Sequence, residues 1–180
     1  MAATLLETLK GLPPELATLL AAMLPIAELR GAIPWAVLVL GMPLWKAYLL
    51  AVVGNLVPIV PLLLVFQPVS RWLHRFGLWQ RFYQWLERRT RARGEVVEKY
   101  EALGLMAFVA IPLPVTGAWT GAFAALLFGI RFRRALVAIL GGVLIAGAIV
   151  SALVALGWLG GLIVGVVLLG GALRSLYNRI

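Results

Sequence analysis

The chain has no cysteine, no aspartate and a single histidine, His74. Without cysteine there is neither a disulfide framework nor a thiol nucleophile. Without aspartate there is no paired-Asp site for intramembrane proteolysis. One histidine leaves too few ligands for a metal site. Ser70, Ser151 and Ser175 have no motif around them that would supply a base. The expectation is therefore a protein that is not an enzyme and carries no cofactor and no metal. Charge is also scarce: 13% of residues are charged, and all seven acids are glutamates. Glu28 is the sole acid between Glu15 and Glu87.

What fills the chain instead is apolar. Of its 180 residues 63% are hydrophobic, and the mean hydropathy is +1.00. That composition predicts one polytopic, all-α membrane domain with no soluble companion. The net charge of +9 lies beside apolar segments. This is the pattern of cytoplasmic loops and anionic-lipid contact, so membrane lipid rather than nucleic acid is the expected partner. The first dozen residues lack the basic leading region of a cleavable signal and read as a short interfacial helix.

One charged stretch interrupts the apolar pattern, Glu28 to Pro34, ELRGAIP. The runs on either side are too short to cross a bilayer, which takes about 20 apolar residues. They are too hydrophobic for a surface loop. A helix from Pro13–Pro14–Glu15 to about Leu24, a turn through Ile26 to Gly31 and a return to Leu40 make a re-entrant hairpin, broken by Pro25, Gly31 and Pro34. Ionisable groups at membrane depth are costly, which makes Glu28 and Arg30 candidates for a substrate or proton site. The plainer alternative is a helix-connecting turn at the membrane surface. Leu44 to Phe66 reads as a full span entered at Lys46, with Asn55, Pro58 and Pro61 near its middle. The two prolines free upstream carbonyls. Asn55 reads first as helix glue bonded to such a carbonyl, and second as a substrate contact.

Residues 67–101 cannot cross. Seven arginines from Arg71 to Arg93, and the aromatic face of Trp72, Phe76, Trp79, Tyr83 and Leu86, describe an amphipathic helix on the membrane surface. His74 falls on its wetter part, where pH sensing is the lesser reading. A second hairpin follows: Leu103 to Ile111, breakers Pro112, Pro114 and Gly117, and a half-helix ending at Gly129. Thr116 and Thr120 lie at its tip. Ala135 to Leu156 and Leu162 to about Leu176 complete the spans.

The hairpins read as copies. LPIAELRGA aligns with LPVTGAWTGA after a one-residue gap, GMPLWKA with GIRFRRA, and Gly54 with Gly142. Each copy, a hairpin plus one span, crosses once, and the linker does not cross. The second copy must then enter from the opposite face, giving two inverted repeats (12–66 and 102–157), a linker (67–101) and one last helix (158–180). The basic segments fall on one side, so the amino terminus is expected outside and the carboxyl terminus in the cytoplasm.

ELRGAIP followed by IPLPVTGAWTGA resembles the small multidrug export protein family of bacterial and archaeal membrane proteins, over nearly the whole chain. That family is similar to the DedA membrane proteins, and the resemblance implies two opposed re-entrant hairpins in a prokaryotic plasma membrane. It further implies movement of a lipid phosphate such as a polyprenyl phosphate, coupled to protons. Glu28 matches the acidic position of the first hairpin. The further acids of DedA proteins are absent, and their second-hairpin arginines are replaced by Pro112, Pro114, Thr116 and Thr120. Arg30 is left to supply the positive charge.

The leading expectation is a transporter or flippase for an anionic amphiphile, using Glu28, Arg30, Asn55, Thr116 and Thr120. Export of hydrophobic cations with Glu28 as counter-charge is the alternative, and a non-transporting membrane organiser is the third reading. A homodimer is compatible with so small a domain.

Overall fold

The computed structural model describes residues 9, 11–65, 94–112, 116–157, 159–162, 165–166 and 170, with backbone alone over 94–99. All regular structure among these residues is helical. The order short, short, long occurs twice. The first triplet is α1 (Pro14–Met23), α2 (Glu28–Leu38) and α3 (Leu44–Leu56). The second is α4 (Gly94–Ala110), α5 (Ala118–Leu127) and α6 (Phe132–Ala155). After a turn at Val57–Pro58 the helix of α3 resumes to Val65, so Leu44–Val65 and Phe132–Ala155 are long and apolar enough to cross a membrane. The linker helix, the amino-terminal helix apart from Leu9, Pro114 and most of the last span lie outside the described residues.

The packing is inverted relative to that of a soluble protein. The core is built largely of alanine: Ala17, Ala21, Ala32, Ala51, Ala122 and Ala135 are all fully buried. Leu38, Leu49, Val53, Leu64, Val137 and Ile145 point outward. Only 33% and 39% of the apolar windows of the two long helices are buried within the protein. Small residues inside let helix backbones approach where no hydrophobic force acts between helices, and large apolar ones outside meet lipid tails.

In each triplet the first short helix packs along the long one. A methyl on Gly54 of α3 would overlap the Leu19 carbonyl of α1, and one on Gly142 of α6 would lie 2.6 Å from Val109 Cβ of α4. The two aligned glycines thus make the same close approach. Gly41 and Gly129 likewise end the second short helix of each triplet in the left-handed region, at φ 65° and 67°. Between triplets, α2 and α3 pack on α6, and Tyr48 Oη donates to the Leu144 carbonyl at 3.3 Å.

Two boundaries differ from the sequence reading. The first hairpin turns over Leu24–Ala27 alone, so Glu28, Arg30 and Gly31 lie in α2, and Pro34 is inside it rather than breaking it. An acid suits the positive end of a helix, and Pro34 removes only one bond, to the Arg30 carbonyl. α4 begins at Gly94, inside the 67–101 segment read as linker. The stretch EVVEKYEALG contains no proline and is rich in helix formers, so α4 runs unbroken through Glu101.

Candidate functional site

α2 opens with the one non-glycine residue of positive φ among the described residues, Glu28 at 46°. Its amide donates to the Leu24 carbonyl at 2.9 Å, which ties it to the turn, while its side chain leaves the hairpin altogether. Glu28 Oε1 accepts from the backbone N–H of Trp119, 91 residues away, at 3.4 Å. That N–H belongs to the first turn of α5. The residue capping α5 is Gly117, which has no side chain to offer, and the cap makes no side-chain hydrogen bond. Glu28 therefore supplies from the other hairpin the acceptor that the helix lacks. The carboxylate also lies at the positive end of the helix dipole. A methyl added to Gly117 would overlap the carboxylate, so glycine is required there for close approach, since its extended backbone suits any residue. Glu28 is only 7% exposed.

Arg30, half-buried one turn-face away, goes to the other arm of the second hairpin. Its Nη2 donates to the Ile111 carbonyl at 3.3 Å, just beyond the end of α4. Thr116 Oγ1 donates to the same oxygen at 2.7 Å. The acid and the base of ELR are thus sorted by sign, the carboxylate on the amino end of α5 and the guanidinium on the carboxyl end of α4. Thr120 Oγ1 donates to the Gly117 carbonyl at 3.2 Å and closes the first turn of α5.

Of the residues singled out in the sequence, Glu28, Arg30, Thr116, Thr120 and Gly117 come together at this joint. Pro112 lies just past the end of α4, and Pro25 is in the first turn. Asn55 is not joined to them by any hydrogen bond. It is 1% exposed in α3, and neither Nδ2 nor Oδ1 has a partner, so the expected bond to a freed carbonyl is not made. Lys46 pairs with Glu15 at 2.6 Å across the base of the first hairpin. That hydrogen bond and charge hold the exposed Glu15 carboxyl below its ordinary range. Trp119 was missed by the sequence reading. Its amide serves the site, and its buried indole Nε1 has no partner. Among the described residues no group of His, Cys, Asp and Glu could hold a metal ion.

A family model described as "Putative small multi-drug export protein" matches residues 28–149, more than half of the chain, from Glu28 into α6. No curated protein and no solved structure matches.

Proposed function

The chain belongs to the small multi-drug export protein family, and on that premise we propose that it exports amphiphilic molecules through a membrane, with Glu28 as the exchangeable group. The observation that carries this reading is the Glu28 carboxylate seated on the amino end of α5. It joins the two hairpins by charge–dipole attraction, and a proton or a substrate cation removes that attraction. With Glu28 neutralised that attraction is lost, while the Arg30–Ile111 contact and the apolar packing remain. The hairpins can then part and change which side the joint faces. The short helices of 10 and 11 residues in the first hairpin support placing it as re-entrant, its tip within the bilayer. The basic segments support placing the carboxyl terminus on the cytoplasmic side.

A lipophilic cation is the favoured substrate, because the position that would attract an anionic head already holds the protein's own anion. A second reading has its own observation. The first turn of α5 does accept a carboxylate, so a DedA-like flippase would let a lipid phosphate displace Glu28 there, with Arg30 turning to the head.

Purified protein in liposomes separates these. With a pH gradient, the wild type should extrude tetraphenylphosphonium, and Glu28→Gln should lose that gradient dependence. Unchanged pH dependence in Glu28→Gln ends the exchange mechanism. Transport of a polyprenyl phosphate and not of the cation would select the second reading.

A further inference from the structure

The arms of the second hairpin touch near its tip, where a methyl on Gly121 would meet Val109 Cγ2. Toward its base they leave a half-open groove of about 510 Å³. One wall is the α4 face of Glu101, Gly104, Leu105 and Phe108, at spacings of three and four; Phe128 and Ile130 line the other. The volume is that of a drug-sized ligand site. Glu101 is the one charged residue lining it, half-buried, and no hydrogen bond or ion pair joins it to a described residue. A carboxylate withdrawn from water among apolar groups attracts a cation. Phe108 and Phe128 line the same groove, and aromatic rings attract organic cations.

A separate groove of about 370 Å³ on the α6 side of α4 is lined by Leu103, Met106 and Val137 with the apolar stems of Arg133 and Arg134. The helix α4 therefore divides a groove lined by a carboxylate and two phenylalanines from one whose lining surface is apolar. Resting on the export reading above, we infer that the α4–α5 groove is the entry site for a lipophilic organic cation, its charge at Glu101 and its apolar body against Phe108 and Phe128. The groove lies between the arms whose ends Arg30 and Glu28 hold. An occupant wedged there bears directly on that joint.

The test uses the full chain in phosphatidylcholine nanodiscs and tetraphenylphosphonium as probe. Wild type should bind saturably. Glu101→Gln should weaken binding about tenfold through loss of the charge. Gly104→Leu fills the groove from a position with nothing within 4 Å of its added carbon, and should abolish binding. Arg133→Gln, in the second groove, should bind no more weakly than wild type. Melting temperatures identify any variant that fails to fold, and Gly104→Leu, on an exposed glycine, serves if Glu101→Gln does. Absence of wild-type binding overturns the proposal, as does wild-type affinity in both groove variants or displacement of the probe by uncharged lipid tails alone. Glu101-dependent binding without efflux from liposomes would leave the groove assigned and remove the export reading instead.

Discussion

Holding a glutamate in the left-handed region costs about 1–2 kcal/mol relative to ordinary backbone, and Glu28 is held there by contacts at both ends. Its amide is fixed to the turn and its carboxylate to α5. The charges at this joint were legible in the sequence because an acid and a base inside an apolar stretch need a reason to persist. Their partners were not legible. A backbone N–H at Trp119 and a carbonyl at Ile111 carry no signature in residue type, and Gly117 reads as a breaker whether or not a carboxylate lies against it. Asn55 shows the converse, a residue type that invites a hydrogen bond the structure does not make. Leaving both amide atoms buried and unsatisfied costs about 1–3 kcal/mol. Asn55→Val should therefore raise thermal stability by about 1 kcal/mol or more. If the more stable protein also loses export, Asn55 is retained for substrate or water. A less stable variant would show that the amide has partners in the membrane.

At the level of elements, the apolar run lengths set out in advance which helices are short and which can cross. Boundaries were harder, because Pro34 and Gly94 carry different meanings at a helix interior and at its first turn. The close approach of each long helix to its own hairpin depends on Gly54 and Gly142, which the sequence alignment paired but could not place against a neighbour. Their surroundings now are backbone and Cβ atoms, Leu19 and Ala22 for one, Val109 and Met106 for the other. Such neighbours cannot swing away, so a methyl must push helices apart. Gly54→Ala and Gly142→Ala should each lower stability by about 1–3 kcal/mol, read as a fall in melting temperature in detergent. Gly104→Ala, with open space around it, should not. Equal stability of all three variants would mean that the helices do not pack this closely.

For the whole molecule the open question is how the two triplets are related. A direct repeat and an inverted one predict the same helices, the same glycines and the same hairpin joint locally, but they differ in the face from which each long helix starts. The helix from Leu44 to Val65 is long and apolar enough to cross once, and nothing between it and Phe132 is expected to cross, so the two long helices should begin on opposite faces. Trp45 is exposed in the first turn of α3, Arg133 in the first turn of α6, and Leu159 beyond its end. The 24 residues of α6 extend about 36 Å, enough to separate Arg133 from Leu159 by the full hydrocarbon core. By the excess of Lys and Arg in cytoplasmic segments, the cluster of Arg131, Arg133 and Arg134 leads us to expect the start of α6 on the cytoplasmic side. In a background free of native cysteine, single cysteines at Trp45 and Leu159 should react with an impermeant thiol reagent only from outside, and one at Arg133 only from the cytoplasm. Reaction of Trp45 and Arg133 from the same face would overturn the inverted arrangement. Reversal of all three would keep that arrangement and overturn only the orientation drawn from the basic residues.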